Sequence, residues 1–233
     1  MERSTSPAAP LSQRRDAPPS PQYAQRPLRV VVAPGIARAL VAPALPRLLE
    51  QHPTFALHLL VADRPDEWPD ADAAVVLRPA NAATRAARAM RIAEIPHVLC
   101  ASDGFLSLYG QPRSPYDIDP DHCIGLLGEQ GRPRPWRFLS GSTELTIDPA
   151  APLMFSDPLS AAASAIRGGG LILVPQLAVE ADIAAGLLTP LLPAWHTPTD
   201  IVWLEHFQPL TQELANFADF LRALFPYEGH RMM

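Results

Sequence analysis

The sequence contains no lysine: all 19 basic residues are arginine, and 24 acidic residues give a net charge of −5. A chain with this charge is poorly suited to hold nucleic acid by itself. Its two cysteines, Cys100 and Cys123, lie in apolar surroundings, which fits a reducing compartment better than a disulfide. No apolar run has transmembrane length, and residues 1–27 contain no signal-peptide core. We therefore expect a cytoplasmic protein without a membrane partner.

Motifs for catalysis or metal binding are also missing from the sequence. It has no nucleophile-elbow serine, HExxH pair, P-loop or GxGxxG fingerprint. Residues 117–121 resemble a calcium loop, but the twelfth position is Gly128 where glutamate is needed, so we predict a turn with helix-capping aspartates. No base is placed beside a nucleophile. We expect no enzyme activity, no cofactor and no metal.

What the sequence does contain is an alternating pattern of strand-like and helix-like segments. With 233 residues and 48% hydrophobic content, the chain can bury a substantial core. Residues 1–27 are proline-rich with few large apolar side chains, which predicts a disordered tail, and residues 226–233 form a C-terminal tail. From Leu28 onward, the alternation predicts an α/β fold with parallel sheets covered by helices.

The first strand, 28–33, stops at a Pro-Gly pair. We predict an irregular turn at Gly35–Ala42 and then a helix at Pro43–Gln51, since proline is tolerated in a first helical turn. The backbone N–H groups at Gly35–Arg38 then lie at the carboxyl end of a strand. Open α/β sheets bind small anions at such positions.

The remaining elements follow from capping signals and periodicity. Ser156 or Asp157 can cap a helix that begins at Pro158, and Gly168–Gly170 can end it with positive φ angles. A second helix is predicted at Gln176–Ala185, ending at Gly186. The other predicted elements are strands at 55–62, 73–78, 86–101, 123–128, 171–175 and 201–207, helices at 103–109 and 211–225, and a hairpin around Gly141.

Arg78 closes an otherwise apolar strand at its carboxyl end. An arginine at this position either pairs with a carboxylate of the protein or binds an anionic ligand. The sequence leaves both alternatives open.

The order of the segments resembles the effector-binding domain of LysR-type transcriptional regulators. The resemblance spans about Leu28 to Leu224 and rests on five segments: LRVVVAPGIARALVAPALPRLLEQHPTFALHLLVADR, ADAAVVLRPA, IPHVLCASDGFLSLYGQPRSPYDIDPDHCIGLLG, LSAAASAIRGGGLILVPQLAVEADIAAGLLTPLLPAW and PLTQELANFADFLRAL. It implies a type 2 periplasmic-binding-protein-like fold, with two Rossmann-like lobes joined by two crossovers around an interlobe cleft. The effector-binding domain would be 28–225, with lobe I at 28–99 plus 201–225 and lobe II at 100–200.

The resemblance also implies a set of effector-binding residues, which lie at strand ends and at one helix start. With it, Arg78 becomes a candidate contact for an anionic effector. The implied residues are Pro34, Gly35, Ile36, Arg64, Arg78, Leu126, Leu127, Gly128, Ser156, Asp157, Val174 and Pro175.

Three features depart from the family pattern. No winged helix-turn-helix precedes Leu28, so DNA binding would require a domain that is absent from this sequence. Pro34 stands where family members often offer a serine or threonine hydroxyl to the effector. The segment RPDEWPDA, 64–71, is short and broken by proline where the family has a helix.

Four functional hypotheses follow. The first is the sensor domain of a LysR-type regulator that binds an anionic effector, with a carboxylate as the expected class, and assembles as a homodimer or tetramer. The alternative is a free-standing ligand- or partner-binding protein without DNA-binding activity. A transport receptor of the same fold is disfavoured because a signal peptide is missing, and an enzyme is disfavoured because no base and nucleophile are paired.

Overall fold

The computed structural model of the protein describes residues 26–62, 67–80, 88–128, 131–150 and 152–225. Both predicted tails lie outside this range, apart from Arg26 and Pro27. The strands are β1 Leu28–Val32, β2 Leu57–Val61, β3 Ala73–Pro79, β4 Ala89–Ala101, β5 Cys123–Leu126, β6 Trp136–Ser140, β7 Thr143–Ile147, β8 Met154–Phe155, β9 Leu171–Pro175, β10 Thr189–Leu191 and β11 Thr199–His206. The α-helices are α1 Pro34–Ile36, α2 Ala42–Gln51, α3 Asp103–Tyr109, α4 Pro158–Ile166, α5 Glu180–Ala184 and α6 Gln212–Leu224.

Most strands belong to one sheet in the order β2-β1-β3-β11-β4-β9-β5-β8, with β10 also paired to β4. The first three strands in this order run parallel, and β11 is antiparallel to both of its neighbours. Strand β4 is 13 residues long and joins the two halves of the sheet. Its residues up to Pro96 pair with β11, and its residues from His97 onward pair with β9.

A histidine–aspartate pair ties the two strands together at this junction. His97 Nε2 on β4 lies 3.0 Å from Asp200 Oδ2 on β11, and both side chains are largely buried. Thr197 Oγ1 also donates to the carbonyl of His97 at 2.6 Å. The pair therefore supplies a polar partner for a carboxylate that would otherwise be buried without one.

Each half of the sheet has its own hydrophobic core. In the first half, α2 and α6 cover one face, where Val30, Val75, Val202 and Phe217 are fully buried together. In the second half, α4 packs on one face of β5 and β9. The β6–β7 hairpin joins a separate core on the second half, to which it contributes the buried Phe138. The inner strands β1, β3 and β9 are buried along most of their length because both of their faces are covered.

Most of the predicted elements are confirmed with small shifts at their ends. Helix α3 spans the predicted 103–109, and the hairpin turns at Gly141 with a φ of 58°. The predicted capping aspartates are also present: Asp117 and Asp119 each accept backbone N–H groups in short 3-10 turns.

The prediction of an irregular turn at Gly35–Ala42 was wrong. The backbone is helical from Pro34 onward, because α1 continues through a π-helical turn, Ala37–Val41, into α2. The N–H of Ala42 bonds to the carbonyl of Ala37, five residues earlier. A π turn shifts the bonding register by one residue and leaves a carbonyl free, which accommodates the missing N–H of Pro43.

The second prediction that needs correction concerns the helix at Gln176–Ala185. The structure divides it into a 3-10 turn, Gln176–Ala178, and the short helix α5. Val179, between them, has a φ of −130°, which is outside the helical range. The predicted stop at Gly186 is confirmed by its φ of 70°.

Candidate functional site

A cleft of about 390 Å³ lies between the segment after β1 and helix α4. Its walls come from regions that the sequence analysis assigned to different lobes. The lining residues are Pro34, Arg38, Val61, Asp157, Leu159, Ser160 and Ala163. This volume falls within the range of small-molecule sites.

Two helix starts line this cleft. Pro34 is the first residue of α1, and the helical backbone runs from it through to Gln51. Asp157 is the N-cap of α4. The first N–H groups of a helix have no carbonyl acceptor one turn earlier and carry the positive end of the helix dipole. The start of the helical segment after β1 is therefore favourable for an anion, whereas the start of α4 already holds the carboxylate of Asp157.

Arg38 is the positively charged side chain of the cleft. It lies four residues after Pro34, on the same side of the helical segment, and its side chain is exposed. Within the described part of the chain, Arg38 makes no salt bridge. A guanidinium with no carboxylate partner is available for a ligand anion.

Asp157 supplies the negative charge of the cleft. Its Oδ2 accepts hydrogen bonds from the backbone N–H and the hydroxyl of Ser160, both at 2.8 Å. These bonds fix the carboxylate while they cap α4. The cleft thus combines the guanidinium of Arg38 on one wall with a positioned carboxylate on the other.

The structure brings Pro34 and Asp157 together among the predicted site residues, with Gly35 and Ile36 directly after Pro34. The side chain of Ile36 is buried in the core, so only its backbone can face the cleft. Arg64 lies outside the described residues.

The other predicted residues occupy strand ends and loops without lining this cleft. Leu126 and Val174 are buried in the core beneath α4. Leu127 pairs with Pro133, and the Gly128 N–H donates to the carbonyl of Arg132. Ser156 is exposed beside the cap of α4, and Pro175 ends β9. Their roles in ligand binding stay predictions.

Arg78 is paired with a buried carboxylate. Its Nε and Nη2 donate to Oε1 of Glu205 at 3.1 and 2.9 Å. The Glu205 side chain is 4% exposed and that of Arg78 is 20% exposed. The structure thus contains the first of the two alternatives for Arg78, a pair with a protein carboxylate. A contact between Arg78 and an effector stays a prediction.

Sequence reasoning named the backbone of Arg38 but missed its side chain, and it missed Val61, Leu159, Ser160 and Ala163. For two of these residues, Arg38 and Ser160, the spacing along a helix could have predicted their place at the cleft. Arg38 follows Pro34 by one helical turn, so a helical rather than irregular segment would have placed it at the cleft. Ser160 is the third residue after the cap Asp157, a position where a side chain commonly bonds back to the cap.

A second and larger cavity, of about 570 Å³, lies on the second half of the sheet. It is lined by the loop after α3, including Arg113, and by residues Leu192–Trp195. None of the predicted site residues lines it, and none of its lining residues begins or caps an α-helix. We therefore take the smaller cleft, which contains two predicted site residues and is lined by the starts of two helical segments, as the candidate site.

Two kinds of feature are absent from the described residues, a metal-binding cluster and a membrane-spanning helix. No group of three or more His, Cys, Asp or Glu side chains there could hold a metal ion. No helix in that part of the chain is long and apolar enough to span a bilayer.

Both cysteines are buried as free thiols with raised pKa values. Burial, together with the charge of Asp182, raises the pKa of Cys100 to about 12. Burial also raises the pKa of Cys123 to about 12, with smaller effects from Asp119 and Asp121. Because the thiolate is the reactive form, both side chains are inert in the folded protein.

We expect the native protein to react with a thiol reagent such as Ellman's reagent at pH 8 at least about a thousandfold more slowly than free cysteine. Denaturation should expose both thiols to rapid reaction. The free energy of unfolding should also fall as the pH rises from 9 towards 12, because the folded state keeps the thiol protons longer than the unfolded state. Reaction of either thiol in the native protein at the rate of free cysteine would contradict this account.

The sequence matches the family model of the LysR substrate binding domain over residues 21–226. It is 27% identical over 169 residues to the uncharacterized HTH-type transcriptional regulator YhjC of Escherichia coli, covering 72% of this chain and 56% of the relative. It is 26% identical over 207 residues to the HTH-type transcriptional regulator DmlR of the same organism, covering 88% of this chain and 67% of the relative. The chain therefore spans between about half and two thirds of these relatives.

Solved structures show the same fold. The regulatory domain of CrgA, a LysR-type transcriptional regulator from Neisseria meningitidis, superposes with a TM-score of 0.70 at 23% identity, over 85% of this chain and 98% of that one. The full-length virulence activator AphB of Vibrio cholerae superposes with a TM-score of 0.69 at 18% identity, over 87% and 69% of the two chains. LysR regulatory domains have the type 2 periplasmic-binding-protein-like fold, so the predicted fold class is confirmed.

The homologues are named transcriptional regulators, so the expectation that the chain is not an enzyme is confirmed by its family. LysR-type regulators bind small-molecule effectors and oligomerise. The match over residues 21–226 covers most of the sequence. The chain belongs to the LysR family, as its substrate-binding domain.

Proposed function

We propose that this domain senses a small anionic metabolite, a carboxylate, in the cleft between the helical segment after β1 and α4, and thereby controls transcription. The observation that carries the proposal is the guanidinium of Arg38, which forms no salt bridge with the described residues and lines the cleft beside the helix start at Pro34. The backbone N–H groups of Gly35 and Ile36 supply further donors beside it.

Binding would act through the geometry of the two halves of the sheet. The cleft is lined from both halves, and β4 runs through both of them, paired with β11 in the first and with β9 in the second. A ligand that contacts both walls favours the closed arrangement by its differential affinity. We propose that this change is passed to a dimer or tetramer in the cytoplasm, as the predicted assembly and location.

A thermal-shift screen with carboxylates, amino acids and sugar acids tests the proposal. A ligand at a hundred times its dissociation constant adds about 2.7 kcal/mol, which raises the Tm of a domain of this size by about 5–10 °C. We expect Arg38→Gln to weaken such a ligand by about tenfold to a hundredfold, the loss of one charge-assisted hydrogen bond.

Arg137→Gln is the matched control, because Arg137 is an exposed arginine on β6 and does not line the cleft. It should leave both the affinity and the Tm unchanged. A carboxylate that binds wild type and Arg38→Gln equally would show that the cleft is not its site.

A further inference from the structure

We propose that the cleft selects carboxylates that carry an amino or hydroxyl group next to the acid. Asp157 accepts a hydrogen bond from this second group. The inference rests on the proposed function and adds the chemical class of the ligand. It starts from the two opposite charges that line the same cleft, Arg38 from the segment after β1 and Asp157 from α4.

The charges of Arg38 and Asp157 do not neutralise each other through a direct ion pair among the described residues. No salt bridge joins Arg38 and Asp157 in the region that the structure describes. A small cleft with two opposite charges that are not paired with each other suits a ligand that carries both an acceptor for Arg38 and a donor for Asp157. A plain carboxylate satisfies Arg38 and leaves the Asp157 carboxylate facing an anion.

The two carboxylate oxygens of Asp157 differ in their hydrogen bonds. Oδ2 accepts both hydrogen bonds from Ser160 and thereby caps α4. No described residue donates to Oδ1, so this oxygen is the acceptor left for a ligand. A carboxylate accepts readily from an ammonium or a hydroxyl group.

The remaining lining explains why the ligand must be small. Pro34, Val61, Leu159 and Ala163 add apolar surface without further charge, and the cleft holds about 390 Å³. Pro34 has no N–H, so the first donor of this wall comes one residue later, from the backbone of Gly35. A compact acid with one donor group and a short apolar remainder fits this pattern.

The test uses matched probes that differ only in the group beside the acid. The sets are butyrate, 2-hydroxybutyrate and 2-aminobutyrate; succinate, malate and aspartate; and phenylacetate, mandelate and phenylglycine. Titration calorimetry should show that, in at least one set, the amino or hydroxy acid binds about tenfold or more tightly than the plain acid, since one charge-assisted hydrogen bond separates them.

Asp157→Asn is the informative variant, because asparagine caps a helix as well as aspartate does and keeps an acceptor oxygen. Its single oxygen keeps the cap, while an NH2 group replaces Oδ1, so the variant removes both the charge and the acceptor that is left for the ligand. The variant should lose about tenfold in affinity for the amino acid, less for the hydroxy acid and nothing for the plain acid. Its Tm should stay at the wild-type value, which shows that the cap is intact.

The outcomes separate the two proposals. Equal affinity for all members of every set, with a loss in Arg38→Gln, would overturn the reading of Asp157 and leave the carboxylate site in place. Binding that is unchanged in Arg38→Gln would overturn the proposed site itself. Failure of every probe to bind more tightly than about 1 mM would overturn both.

Discussion

We expect Arg78→Ala to lower the free energy of unfolding by about 3 kcal/mol, because it leaves the carboxylate of Glu205 buried without its arginine. Breaking a buried ion pair by removing one partner costs about 3–5 kcal/mol. Glu205 also has a further contact within the structure, so we take the lower end of that range. Denaturant unfolding followed by circular dichroism measures the effect.

The control is an ion pair of similar length on the surface. Asp219→Ala removes the carboxylate that Arg222 Nη1 contacts at 2.9 Å, in a pair whose side chains are 40% and 77% exposed. Exposed pairs are worth about 0–1 kcal/mol, so this variant should change stability by less than about 0.5 kcal/mol. The double variant Arg78→Met/Glu205→Gln should recover part of the loss, since residue 205 then carries no buried charge.

If Arg78→Ala lowered the free energy of unfolding by as little as the control does, this result would contradict a structural role for the Arg78–Glu205 pair. The result also decides how effector experiments are designed. If Arg78→Ala destabilises the fold, then a lost response to ligand in this variant cannot be assigned to a lost contact. Arg38→Gln avoids this problem, because Arg38 is exposed and makes no salt bridge with the described residues.

The second large effect is expected at Gly170, where Gly170→Ala should cost about 2–4 kcal/mol. Its φ of 147° is a conformation that side chains rarely adopt, and a Cβ there would lie 2.6 Å from the carbonyl oxygen of His122. A backbone atom cannot rotate away as the end of a flexible side chain can. The link between α4 and β9 must therefore shift.

Gly168→Ala is the matched control two residues earlier. Gly168 has a φ of 86°, but a Cβ there would meet no heavy atom within 4 Å. This variant should cost only about 1 kcal/mol, the strain of a left-handed alanine. Equal losses for the two variants would show that backbone strain alone, and not the contact with His122, makes Gly170 necessary.

The helix and its caps at 157–170 could be predicted from the sequence because every signal is local. Asp157 caps, Pro158 begins the helix and the glycines end it, all within a few residues. The same holds for the turn at Gly141. These features depend on the conformations that each residue type favours, and no distant contact overrides them.

The composition of the cleft could be predicted only in part. Pro34 and Asp157 were found by resemblance, but Arg38 depends on the helical register after β1, which the two prolines of α2 obscured. The partner of Arg78 lies 127 residues away on β11, so no local pattern indicates it. Contacts of this kind depend on which strands become neighbours in the sheet, and no local sequence pattern indicates that order.

The most direct test of the central claim is an amide-resolved NMR titration with the tightest-binding of the matched carboxylates. The account predicts that the largest shifts occur at the backbone amides of Gly35 and Ile36 on one wall and of Leu159 and Ser160 on the other. Both walls must respond, because the proposed ligand contacts both. Shifts confined to the loop around Arg113 and the Trp195 indole, at the larger cavity, would contradict the assignment of the site.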